Sequence, residues 1–539
     1  MIVALLLIAA GLTEGAFAAK DGRKYFGSIR PPTKNILSYS NGAEPEMVDP
    51  GLSVGQPDGN ICRLQWEGLT IEHAKTLEPL PGMAERWELS ADGLTYTFHL
   101  RQARWSDGNP VTALDFLYAW RRVLTAANTA RYAGIFYYIR NAEGFHKGLI
   151  TDPDQIGIQA PDDSTLIVTL NNPTPYFLSL TSFYSFMPVP RWCVEKFGVR
   201  WSRPENVVVN GPFRCTSWKP NNRFLFDKNP TYWDQANVKL DGIVAYSIDD
   251  LNTILNLYKA GTTDWNPSGY LPAQYLPYVK DMADFRTAPY LGVYFYSFNV
   301  TNEVMKNKWL RKALAWSIDR EAICRQLFKG MRIPHANFVA QGFEGYPYPK
   351  VIGFDPAYAR ECLAKAGYPD GKGLAGLELM FNTSEDHRKL AEIVQAMWKD
   401  HLKINVALSN QEWGSYLRNT TGLNYQVARR SWIGDYADPA TFLDCMKTGD
   451  GNNRTGWSSP EYDALLAEAG RTFDPVARYE ILARAETLLL DECPVIPIYN
   501  YTLTEMIKPY VRGIEANLTN TNNLKFAWID RNWSRDAAP

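Results

Sequence analysis

The stretch R-R-S-W-I-G-D-Y-A-D-P, residues 429 to 439, sets a cation, a flat apolar ring and an anion within seven residues. Arg429 is the cation, Trp432 the ring and Asp435 the anion. That set suits a zwitterion carrying an amine, a carboxylate and a backbone between them. Tyr425-Gln426-Val427-Ala428, just ahead, reads as a buried strand. Pro439 has no N–H to give to a ladder, so the segment reads as a strand end turning into a loop. Loops at strand ends are where ligand contacts concentrate. The same residues also suit a surface loop with solvated charges.

Covalent chemistry finds little support. The chain has no H-E-x-x-H, no Walker loop, no G-x-S-x-G and no G-x-G-x-x-G after a strand. Its six histidines, His73, His99, His146, His335, His387 and His401, make no metal pair at helical spacing, and His99 fits a structural place in a strand. No catalytic residue, metal or cofactor is therefore expected. The seven cysteines include no C-x-x-C, which excludes a zinc knuckle or a thioredoxin-like site. An odd count leaves at least one free, and an oxidising compartment allows one or two disulfides whose pairing stays open. A net charge of -2 argues against nucleic acid. The 17 Trp and 30 Tyr favour surfaces that grip a wet ligand, although large cores absorb most such rings.

The elements that must position these groups are legible in order. Residues 1–18 read as a secretory leader, with an apolar run from Ile2 to Ala10 and the A-x-A site Ala16-Phe17-Ala18. The run is too short to span a bilayer, the leader lacks the usual basic start, and no Cys marks a lipid anchor. Residues 19–33 read as a flexible arm. Strands are expected over Ile36–Ser40, on both sides of the turn Ala91-Asp92-Gly93, and around Asp162-Asp163. Tyr96, Phe98 and Leu100 alternate with polar residues, the period of a half-buried strand. Thr112 should cap a helix carrying Phe116, Trp120 and Val123. Further helices are expected over Asp249–Ala260, from Asp319 to Gly330, from Ser384, and after Ser459-Pro460 and Asp474-Pro475, each of the last two an N-cap followed by Pro. Tyr290–Asn299 reads as a strand dense in aromatics, and Ile404–Leu408 as another. Alternating helix and strand gives an α/β chain.

Several stretches together resemble the solute-binding protein family 5 of ABC importers, the periplasmic oligopeptide-binding branch. They are E-R-W-E-L-S-A-D-G-L-T-Y-T-F-H-L-R, W-S-D-G-N-P-V-T-A-L-D-F, V-V-N-G-P-F, N-K-W-L-R-K-A-L-A-W-S-I-D-R, Y-P-D-G-K-G, S-N-Q-E-W and V-A-R-R-S-W-I-G-D-Y-A-D-P. The likeness runs from about residue 36 to the C-terminus. It implies a two-lobed periplasmic-binding-protein type II-like fold with an extra small α/β domain, three domains in all. Lobe I would take 34–67, 191–291 and 501–535, the small domain 68–190, and lobe II 292–500. The lobes would close over a ligand about two hinge crossings.

The resemblance also implies the site. Asp435 would pair with a peptide's α-ammonium group. Arg429 and His387, the latter in N-T-S-E-D-H, would receive its carboxylate. Trp432, Trp413 and Tyr132 would face its side chains. The implied role is a periplasmic receptor, a monomer, that captures short peptides and delivers them to an inner-membrane ABC permease without covalent chemistry. The chain departs from the branch in three places. Val54 stands where an acidic residue usually precedes a glycine. Gly292 and Ile433 stand where members often pair two cysteines across the lobes. Thr420 and Thr421 replace basic residues. Val54 keeps a second ligand class open, an opine, sugar-peptide, oligosaccharide or nickel chelate on the same fold. A peptide hydrolase would need a nucleophile beside Asp435, and none is evident.

Overall fold

The computed structural model describes residues 16–18 and 23–534, apart from Val54, Ala375 and Asp435. Most of the expected leader, Val54 and Asp435 thus lie outside the described residues. The chain divides into two compact units. A terminal unit takes the chain up to Ala288 and again from Leu503, and a central unit takes Pro289–Thr502. The chain passes between them inside two strands, Phe285–Phe298 and Val495–Ile507. No helix among the described residues is long and apolar enough to cross a membrane.

In the terminal unit, Ile36–Gly42 lies parallel to Gly242–Ser247, which continues antiparallel into Arg223–Lys228 and Phe213–Lys219. A separate four-stranded sheet orders Ala84–Leu89, Thr95–Leu100, Thr165–Thr169 and Ile158–Asp162, all antiparallel. Its core side carries Tyr96, Phe98 and Leu100, so the period-2 pattern is realised. The helix Ala113–Leu124 covers that sheet. Thr112 and Asp115 form a capping box at its start, and the Asp115 carboxylate also accepts Trp105 Nε1–H at 3.2 Å.

In the central unit, the sheet runs from Val495 onward through Phe285–Phe298 and Val427–Ile433 to Leu377–Asn382 and Val406–Gln411. Val427–Ile433 is antiparallel to the aromatic strand and parallel to Leu377–Asn382. Helices start where the residues dictate. Ser459 and Asp474 each accept a backbone N–H at the third helical residue, with Pro in the first turn. Ser384 sits at the N-cap of Glu385–Leu402 without a side-chain bond.

Three expectations need correction. The strand expected to end at Ala428 continues to Ile433, because antiparallel pairing with Gly292–Phe298 holds the two arginines and Trp432 extended; Pro439 instead precedes a short helix, Ala440–Leu443. The helix begun by Asp319 ends at Gln326, four residues before Gly330. All seven cysteines are buried and none is in a disulfide, so neither allowed bridge forms.

Candidate ligand-binding site

Two neighbouring strands build the site in the central unit. Tyr296 pairs with Arg429 in antiparallel register and Tyr294 with Ser431. Alternation puts Arg429 on one face of the sheet with Tyr294, and Arg430 on the other with Phe295. Arg429 is only 9% exposed. Its guanidinium lies 4.8 Å from the Tyr294 ring centre. It donates to Asn382 Oδ1 at 3.3 Å, Ser431 Oγ at 3.2 Å and the Tyr501 hydroxyl at 3.3 Å. All three bonds are long and go to neutral oxygens, and its buried Nε has no partner. No carboxylate among the described residues pairs with it.

His387 comes to the same place. Its ring lies 5.6 Å from that of Tyr294. Burial, and then the Arg429 charge, push its pKa down to about 4. Near pH 7 it is neutral, and an approaching anion would restore its basicity. Tyr294 stacks on Tyr499 at 4.8 Å, and Tyr499 meets Tyr501 edge-on. Arg332 lies 5.5 Å over Tyr501, and its Nη1 donates to Thr502 Oγ1 at 3.5 Å. The structure thus gathers Arg429 and His387 into a cationic, aromatic-walled patch.

The other expected residues are placed as follows. Trp432 is partly exposed and donates its Nε1–H to the Thr441 carbonyl at 2.7 Å. Trp413 opens the helix Trp413–Thr421, but its side chain lies outside the description. Tyr132 belongs to the terminal unit, where it packs edge-on against Phe183 and Tyr184. Gly292 faces Ile433 in register on adjacent strands of one unit, so these two positions lie across a strand pair and not in different units. Sequence reasoning missed Tyr294, Tyr499, Tyr501 and Arg332. The alternating aromatics of Tyr290–Asn299 were the available signal for the first of these.

One large cavity among the described residues competes poorly. A cavity of about 920 Å³ in the terminal unit is lined by none of the expected residues. The charged groups on its wall are already paired: Arg121 with Asp154, Arg122 with Asp49 and Arg191 with Glu195, each at 2.7 Å. Among the described residues no group of three or more His, Cys, Asp or Glu could hold a metal ion.

Known proteins are similar to this chain over most of its length. The family model described as bacterial extracellular solute-binding proteins, family 5 Middle, matches residues 78–454. The chain is 37% identical over 526 residues to the oligopeptide-binding protein OppA of Bacillus subtilis, covering 95% of this chain and 96% of that protein. It is similar to the unliganded open form of the periplasmic murein tripeptide-binding protein MppA, with TM-score 0.85, 32% identity, and 93% and 98% of the two chains covered. It is also similar to Haemophilus influenzae OppA in complex with RPPGFSPFR, with TM-score 0.69, 32% identity, and 93% and 100% covered.

Proposed function

Because the chain belongs to the bacterial extracellular solute-binding proteins of family 5, we propose that it is a periplasmic receptor that captures short peptides for an ABC permease. It performs no covalent step. Ligand binding shifts its conformational equilibrium toward a state the permease engages. The names of its relatives support the ligand class.

The observation that carries the reading is Arg429, buried, fixed by long neutral bonds and paired with no carboxylate among the described residues. A peptide's terminal carboxylate supplies the missing charge in a desolvated place, where a charge-assisted bond is strong. Tyr294 and Tyr501 orient the guanidinium, and His387 gains a proton or donates a hydrogen bond as the anion arrives. Asp435 takes the α-ammonium group, as the resemblance implies. Trp432, Trp413 and Tyr132 receive side chains without demanding one sequence.

Calorimetry with Ala-Ala-Ala and its C-terminal amide tests this. The free acid should bind at least about 30-fold more tightly, since one buried charge pair is worth 2–5 kcal/mol. The variant Arg429→Met should erase that difference. Equal binding of acid and amide would sink the reading. Native mass spectrometry of the purified protein adds a direct check. Released peptides of two to five residues are expected, and a single non-peptide mass would replace the ligand class.

A further inference from the structure

The cavity of about 920 Å³ in the terminal unit suits a zwitterion poorly and an apolar body well. One wall is the helix Ala113–Leu124. Its core stripe is Phe116, Ala119, Trp120 and Val123, all buried. The outer stripe of a surface helix usually carries charged and polar residues. Here Leu114, Leu117, Tyr118 and Arg121 recur at the helical spacing, and all four line the cavity. The helix Arg191–Phe197 and the turn after it bring Trp192, Val194 and Val199 to the same cavity. Single exposed apolar residues need no explanation, but a group does. Met47, Leu114, Trp192 and Val199 are 39%, 51%, 37% and 93% exposed, and all four meet on this cavity. Trp192 is held in place. Its Nε1–H donates to Asp107 at 2.9 Å, and its ring meets Trp105 edge-on. The volume falls in the range of pockets that hold small organic ligands.

The charged groups on the wall decide what head such a ligand carries. Asp49 is 4% exposed and fully engaged, with bonds from Arg122 at 2.9 and 2.7 Å and from Trp201 Nε1 at 2.8 Å. Asp115 is tied into its own helix cap by the Thr112 N–H at 2.8 Å and by Trp105. Glu195 pairs with Arg191, whose side chain is 65% exposed and hydrated. Arg121 differs. Among the described residues it makes one hydrogen bond, Nη2 to Asp154 at 2.7 Å, and its buried Nε has no partner. The Asp154 side chain is 80% exposed and does not line the cavity, so this pair is screened by water and weak. Arg121 is thus a wall cation with donors left for an anion inside the cavity.

We propose that this cavity is a second ligand site, made wholly within the terminal unit, for an apolar carboxylate. A chain or ring body lies against Leu114, Leu117, Trp192 and Val199, and its anionic head sits on Arg121. The site stands whether or not Arg429 takes a peptide.

Calorimetry with decanoate on the full protein, below the concentration at which it forms micelles, tests this. Wild type should bind one equivalent, about ten-fold or more tightly than decylammonium, because only the anion pairs with Arg121. Arg121→Gln should remove that preference. Leu114→Glu and Val199→Glu should each weaken decanoate about ten-fold or more, since each sets a like charge where an apolar body must lie. Both positions are exposed, so either variant serves if the other fails to fold. Saturating Ala-Ala-Ala should leave decanoate affinity unchanged. No decanoate binding to wild type overturns the site. Binding that both Glu variants leave intact, or that Ala-Ala-Ala displaces, also overturns it. Equal binding of decanoate and decylammonium overturns the ligand class. Failure of Ala-Ala-Ala to bind overturns the peptide reading alone, and the decanoate series still judges the cavity.

Discussion

The central unit buries two pairs of arginines to nearly the same depth and treats them differently. Arg311 and Arg320 are ringed by backbone carbonyls from helix ends and from the Cys493–Pro497 segment. Arg429 and Arg430 stand on one strand, each among aromatic rings, with few and mostly long bonds. The first pair closes helix ends and holds the fold. The second leaves donors open, and at Arg429 that charge is ready for a ligand. The contrast teaches that burial of a charge says little about its role, and that the count of saturated donors says much.

The largest expected effect tests the structural half. Arg311→Met should orphan four carbonyls and cost about 3 kcal/mol or more of unfolding free energy in urea, given 1–3 kcal/mol per unsatisfied buried group. A loss under about 1 kcal/mol would erase the distinction between the pairs. Arg429→Met is the counterpart. Its stability should stay within about 1 kcal/mol of wild type, or rise, because an unpaired buried charge is removed.

The third prediction concerns pH in the segment that follows Arg332. His335 donates Nε2–H to the Val339 carbonyl, and burial pushes its pKa down to about 4. Between pH 6.5 and 4 the unfolded chain binds the proton and the folded chain does not, so this group makes stability fall as pH falls through that window. Glu486 accepts the Phe338 and Val339 N–H groups and the Tyr346 hydroxyl, and burial raises it to about 7. Between pH 4.5 and 7 the folded chain binds the proton and the unfolded chain does not, so this group makes stability fall as pH rises toward 7. The two oppose each other from pH 4.5 to 6.5. Glu486→Gln should therefore steepen the loss of melting temperature on acidification in that range. An unchanged slope would mean Glu486 is ionised throughout.

The smallest effect is steric. A Cβ on Gly292 would lie 2.4 Å from Ile433 Cδ1, the far end of a movable side chain. Gly292→Ala should cost about 1–2 kcal/mol, as overpacking does, and Ile433→Val in the same chain should recover most of it. Additive losses in the double variant would show that the strain lies elsewhere.

Much of the fold was open to sequence reading because the signals were local. Thr112 with Asp115, Ser459-Pro460 and Asp474-Pro475 mark helix starts through contacts within four residues. Tyr96, Phe98 and Leu100 mark a strand through a period of two. Failures came where distant partners decide. The strand through Arg429 and Arg430 looked finished at Ala428, since two arginines and a tryptophan suit a loop. Pairing with Gly292–Phe298 carried it to Ile433. In the patch the structure describes, Arg429 could be named from one segment and His387 from a second, whereas Tyr501 and Arg332 come from places with no motif of their own.

By itself the sequence determined the element types, most helix starts, the absence of known catalytic motifs and the identity of the charges. These follow from side-chain chemistry and from periods of two and 3.6 residues, which act over short spans. Tertiary structure alone decided which of those charges are satisfied. Arg311 finds its carbonyls up to 182 residues away, whereas Arg430 finds one, 22 residues away. A hydrogen bond depends on where atoms meet in space, and that meeting is fixed only when strands far apart in the chain have paired.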